Sequence, residues 1–143
     1  MTANYDGLEF KTRLEAQWAA FFDLAGWSYW TNPVTVGDWR PDFKLRFDCS
    51  HSECGGYHVI FSSVLPVSHL NDVKGHPSLK HIYGVDSPSG ERLADAGAIF
   101  GKDPSVTTWE MSHGAGGGTE NLAKWVPNSA QLWAKASDLV DGC

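Results

Sequence analysis

Four residues in this chain have the types and closeness to hold a metal ion. Cys49, His51, Cys54 and His58 fall within one hairpin tip. Thiolate and imidazole ligands suit tetrahedral Zn²⁺, so the tip is a candidate zinc staple. Its spacings are not those of a zinc finger, and a metal-free turn is the alternative. A Cys–His nucleophilic pair would also need an orienting third group and an oxyanion hole, and the sequence marks neither. Two carboxylates come next. Asp42 stands at the start of a β-patterned segment in Arg40-Pro41-Asp42-Phe43, and the following segment ends in Ser62-Ser63-Val64-Leu65. Glu15 sits at the edge of an apolar helical stripe, where a flank carboxylate near Lys11 or Arg13 is the plain reading. The glycine run from Gly114 to Gly118, broken by Ala115, lacks the ending and the strand-to-helix setting of a phosphate loop. It reads as a mobile loop, and His113 before it as a polar residue ending a strand.

The elements that must position these residues are legible in the periodicity. Phe10, Leu14, Trp18, Phe21, Phe22 and Ala25 recur at three- and four-residue intervals, which predicts a helix over Asp6 to Ala25 with Gly26 as its C-terminal cap. Trp27 to Val36 reads as a first strand interrupted by Asn32-Pro33, and Gly37-Asp38 as a turn. Phe43 to Phe47 alternates apolar and basic residues, as a half-buried strand does. Tyr57 to Leu65 is more uniformly apolar, as expected of a central strand covered on both faces. These last two segments form a hairpin. Polar residues from Pro66 to Gly84 leave room for brief helical turns only, because Gly75 and Pro77 interrupt them. Asp86 to Gly90 is a loop, Glu91 to Ala96 a helical turn, Ala98 to Phe100 a strand, Gly101 to Pro104 a turn, and Val106 to Met111 a further strand. Asn121 to Val140 is helical in parts, divided by Pro127. The order of elements predicts an α/β fold with a central mixed sheet flanked by helices, in a single domain over 1–143.

Composition narrows the function classes. The 143 residues carry a formal net charge of −6, against bulk electrostatic capture of nucleic acid, although a local basic groove is compatible with it. Seven Trp and fifteen Gly point to an aromatic-rich core with irregular connections. No stretch has the length of a membrane span and the N-terminus lacks signal-peptide order, so the expectation is a soluble, cytoplasmic protein with no membrane partner. Three cysteines do not make a disulfide framework.

The segment Phe10-Lys11-Thr12-Arg13-Leu14-Glu15-Ala16-Gln17-Trp18-Ala19, followed by Phe21-Phe22-Asp23, resembles the N-terminal helix of small phage and bacterial PD-(D/E)xK proteins, of the restriction-endonuclease-like superfamily. The resemblance continues through Arg40-Pro41-Asp42-Phe43. It is echoed by Gly97-Ala98-Ile99-Phe100-Gly101-Lys102-Asp103-Pro104. It implies a restriction-endonuclease-like core in which Glu15 supports, and Asp42 ligates, Mg²⁺. It also requires an acid, one spacer and a lysine at the end of the next strand, where this chain has Ser63-Val64-Leu65. Serine brings no anionic charge to Mg²⁺ and leucine cannot stabilise developing charge, so the motif is degenerate in this register. A rival register, Asp72-Val73-Lys74, spells acid, spacer, lysine, but follows a poor buried strand.

Three functions follow as expectations. The first is a catalytically inactive nuclease-fold protein of phage or mobile-element type that binds a protein partner and inhibits a host defence complex. The alternative is an active Mg²⁺-dependent DNA endonuclease using Glu15, Asp42, Asp72 and Lys74, with nucleic acid as its partner. The third is a zinc-stapled module that binds through exposed tryptophans.

Overall fold

The structure, a computed structural model, describes residues 2–50, 55–113 and 116–142. The chain turns back on itself before it becomes helical. Asp6 and Gly7 both take positive φ, 52° and 77°. That conformation matches a two-residue hairpin turn, and it joins β1 (Ala3–Tyr5) to β2 (Leu8–Phe10) in antiparallel register. The helix expected from Asp6 therefore begins at Arg13. In α1 (Arg13–Ala25) the Thr12 side chain caps the first turn by accepting the Glu15 backbone N–H at 3.1 Å, and Gly26 closes the helix at φ 79° as expected.

The next three strands form an antiparallel meander: β3 (Ser28–Thr31), β4 (Phe43–Asp48) and β5 (Tyr57–Val64). Two short 3-10 turns follow, Leu70–Val73 and Pro77–Lys80. A small antiparallel ladder of β6 (Val85–Asp86) and β7 (Arg92–Ala94) leads into β8 (Ala96–Phe100), which pairs parallel to β5. Then come β9 (Thr107–His113) and β10 (Gly116–Glu120), the helices α2 (Leu122–Trp125) and α3 (Ser129–Leu139), and finally β11 (Asp141–Gly142). The main sheet is six-stranded and mixed, in the order β10-β9-β8-β5-β4-β3. A three-stranded sheet, β11-β1-β2, brings the two ends of the chain together.

Two expectations fail here for clear reasons. Glu91 to Ala96 is extended rather than helical, because β7 pairs with β6 and Arg92 Nε donates to Asp86 Oδ1 at 2.7 Å. Of the run Gly114 to Gly118 expected as a mobile loop, Gly114 and Ala115 lie outside the described residues, and Gly116 to Gly118 belong to a strand that runs to Glu120, paired along β9 from Trp109 to His113. Pairing to a neighbour supplies what glycine side chains cannot.

One sheet face packs on α1 and α3. Trp18, fully buried, sits 4.4 Å from the Trp133 ring and 4.9 Å from Phe100, and its indole N–H donates to the Gly101 carbonyl at 2.9 Å. Strand periodicity sends Ile60 and Val64 into this core and Phe61 to the opposite face, where a smaller cluster holds Val36, Trp39, Val85 and Ala94. Gly97 makes that second layer close-fitting. A Cβ there would lie 2.3 Å from the Ser78 carbonyl oxygen, so only glycine lets the second 3-10 turn rest on β8.

Candidate functional site: a carboxylate cleft at the end of β5

The C-terminal end of β5 opens into a cleft of about 510 Å³ between the start of α1, the approach to β4 and the segment after β5. Each side chain there is placed by an identifiable local feature. The Thr12 cap fixes the first turn of α1 and turns Glu15 inward, leaving its side chain 9% exposed. Asp42 is held at the mouth of the meander by its own backbone: its N–H donates to the Ser62 carbonyl at 2.8 Å, and its carbonyl accepts the Asn32 N–H at 3.1 Å. Its Oδ2 accepts the Val64 backbone N–H at 2.8 Å. The acid is thereby tied to the strand end that carries Ser63, Val64 and Leu65.

Ser63 and Leu65 line the same cleft. The Ser63 hydroxyl is committed to the second layer, accepting the Trp39 indole N–H at 2.8 Å. The rival residues stand elsewhere. Val73 is buried between Asp72 and Lys74, both of which are exposed, and neither lines the cleft.

Two cleft residues go beyond the sequence reading. Lys11 Nζ lies 3.0 Å from Asp42 Oδ1 and 3.6 Å from Glu15 Oε1. Helical spacing suggested Lys11 or Arg13 as the partner of Glu15; the reach to Asp42 had no signal, because it depends on where the meander places that acid. Arg13 is used differently, donating to the Val140 and Ser137 carbonyls of the C-terminal region at 3.1 and 2.8 Å. His76 also lines the cleft. Its Nδ1 accepts the Ser78 backbone N–H at 3.1 Å, which places the proton of the neutral ring on Nε2. Burial lowers the His76 pKa, with the Asp42 charge opposing, so the neutral form prevails at pH 7.

Charge in the cleft is unevenly balanced. Burial first, and then the negative charge of Asp42, push Glu15 up to about 7, while Lys11 pulls the other way. The hydrogen bond to Asp42 raises the Lys11 pKa against the cost of partial burial, so its ammonium is secure at neutral pH. Two carboxylates with an ammonium between them, and a serine where a third acid belongs, are a poor seat for the Mg²⁺ that the resemblance implies. Among the described residues no three His, Cys, Asp or Glu side chains are grouped to hold a metal ion.

Comparison with known proteins adds no assignment: no family model matches the chain, and no curated protein or solved structure matches it either. The candidate site therefore rests on its own geometry.

At the opposite end of β5, the hairpin tip is seen in part. His51 and Cys54 lie outside the described residues. Cys49 and His58 are both buried, and His58 Nδ1 meets Asp95 Oδ2 at 3.1 Å. The same Asp95 oxygen accepts the Val59 N–H at 3.0 Å. Burial alone would lower the His58 pKa, but hydrogen bonds to Asp95 and Cys49 outweigh it and raise it. Asp95 is the mirror image: burial pushes it up, and its bonds with His58 and Val59 bring it below the ordinary value. Among the described residues no helix is long and apolar enough to cross a membrane.

Proposed function

We propose that this chain is a catalytically inactive nuclease-fold protein that acts by binding a partner, with a host defence complex as the target that its phage-type resemblance implies. The observation that carries the reading is the make-up of the cleft. Glu15 and Asp42 converge beside Ser63 and Leu65, and the two acids share the Lys11 ammonium. Hydrolysis of a phosphodiester needs anionic ligands for the metal and a cation for the developing charge, and each such group is worth about 10²–10³ in rate. At the strand end where the resemblance asks for one anion and one cation, this cleft has Ser63 and Leu65. The chain order of α1, meander, crossover segment and parallel β8 supports the nuclease-like scaffold. The alternative endonuclease built on Asp72 and Lys74 draws no support from the cleft, since both residues stand outside it.

Incubation with supercoiled, linear and single-stranded DNA in Mg²⁺ or Mn²⁺ is expected to leave every form intact. Cleavage that disappears in Asp42→Ala would overturn the inactive reading. Affinity capture from the native host is expected to recover protein chains, and recovery of nucleic acid alone would count against a protein partner.

A further inference from the structure

We infer that the cavity where α3 begins is a second binding site, which takes a small organic carboxylate by its charged end. The cavity measures about 550 Å³ and lies between the turn after β8, α2 and the first residues of α3. It shares no lining residue with the cleft at the end of β5, and the inference does not depend on how that cleft is read.

Donors of three kinds meet there without an acceptor among the described residues. Ser129 is 8% exposed, yet its hydroxyl has no hydrogen-bond partner among them. The enclosed polar side-chain atoms without a partner are Ser62 Oγ and Trp109 Nε1; the Ser129 hydroxyl is not among these, so it opens onto the cavity that Ser129 lines. A nearly buried hydroxyl left unpaired is rare in a folded chain and asks for an explanation. The start of α3 adds a second kind of donor. Asn128 makes no side-chain cap bond, and the Ser129 N–H donates to the Val126 carbonyl at 3.0 Å. The next two N–H groups, of Ala130 and Gln131, are left over at the positive end of the helix. Lys102, exposed on the turn that forms the other wall, makes no ion pair with a described residue.

The rest of the lining is apolar and held in place. Trp133 packs on the buried Trp18 at 4.4 Å between centroids, Pro104 is buried, and Ala123 adds a methyl group from α2. Donors without acceptors beside an apolar wall are the complement of a carboxylate on an alkyl or aryl body. Charge narrows the class further. Asp103 also lines the cavity, with its Oδ1 accepting the Ser105 N–H at 2.8 Å and the Ser105 hydroxyl at 2.5 Å. An acid at the site, in a chain of formal net charge −6, favours a singly charged carboxylate over a doubly charged phosphate.

The test is an NMR titration of the whole protein with sodium phenylacetate and sodium octanoate, following the Ala130 and Gln131 amides. Both carboxylates are expected to give saturable shifts. Phenylacetate should bind at least about tenfold more tightly than phenylacetamide, which lacks the charge, or inorganic phosphate, which lacks the apolar body. Lys102→Met and Ser129→Ala are each expected to weaken phenylacetate about fivefold or more, and Asp103→Asn to strengthen it. Lys102 is exposed, so its variant carries the test should Ser129→Ala fail to fold. Binding as tight in Lys102→Met as in the parent would overturn the inference, as would phenylacetamide or phosphate binding as tightly as phenylacetate. So would the absence of saturable shifts with both carboxylates.

Discussion

The two ends of β5 handle buried charge in opposite ways. At its N-terminal end, His58 bonds to Asp95 and Cys49, and His58 and Asp95 move each other toward their charged forms. Burial is opposed on the spot by groups of matching chemistry. At its C-terminal end, Glu15 and Asp42 push against each other, relieved by an exposed lysine that reaches both and by the Val64 N–H on Asp42. One end is closed in charge, a buried imidazole matched by a carboxylate that is itself 39% exposed; the other sets two carboxylates side by side at a cleft and keeps one of them near neutrality. An arrangement that costs stability and faces solvent is where function is expected, because selection for stability alone would replace it.

That contrast can be broken from either side. The largest effect is expected at the closed end. His58→Ala removes a buried ring packed on Trp125 and Phe47, at 5.6 and 5.7 Å between centroids, and takes from Asp95 its imidazole partner, leaving the Val59 N–H. It should cost about 3 kcal/mol in chemical denaturation. If it costs no more than a surface substitution, the closed end is not closed. Next is Gly97→Ala, which forces a methyl against the Ser78 carbonyl beneath the segment carrying His76. A loss of roughly 1–3 kcal/mol is expected, with the cleft disturbed as well.

At the open end the sign should reverse. Glu15 is raised from an ordinary value of 4.5 to about 7. A raised acid destabilises the fold once ionised: its penalty is absent below 4.5, grows as pH rises, and is complete above about 7. Glu15→Gln should therefore be more stable than the parent at pH 8, by about 1–2 kcal/mol after allowance for solvent screening, and nearly neutral at pH 4. Thermal melts across pH read this directly, and a variant less stable at pH 8 would remove the asymmetry between the two ends.

The smallest effect concerns the closed end's own titration. Raised His58 contributes stability that is full below its ordinary 6.5 and fades as pH climbs through its folded value. Lowered Asp95 contributes above its ordinary 3.8 and fades as pH falls through its folded value. The pair should help most between those two ordinary values, by about 1 kcal/mol, and Asp95→Asn should flatten that window. In Glu15→Gln the decline between 4.5 and 7 should vanish while the His58 decline persists.

The framework of the fold was readable because it follows periodicity: the α1 stripe, the apolar β5, the division of the last helical region by Pro127. What escaped depends on non-local pairing. Gly116 to Glu120 carries no side-chain signal for a strand and becomes one only because β9 lies alongside. Residues before Thr12 continue the helical spacing, yet the left-handed pair Asp6-Gly7 folds them into a hairpin. The cleft divides the same way. Glu15, Asp42, Ser63 and Leu65 are singled out by the resemblance, and the structure brings all four to one cleft. The reach of Lys11 to Asp42 and the place of His76 in the cleft are not legible, since each depends on neighbours from elsewhere in the chain.

The small sheet formed by β11, β1 and β2 gives the cleft a place in time as well as in space. Lys11 leaves directly from β2, whose partner β1 also pairs with Asp141 and Gly142, while Arg13 is tied to the carbonyls of Ser137 and Val140. These contacts cannot form until residues 137–142 have left the ribosome. Asp42 and β5 are made far earlier. During synthesis Lys11, Glu15 and Asp42 are all made early, and what waits for the last residues is the β11 pairing and the Arg13 bonds that tie down the segment carrying them.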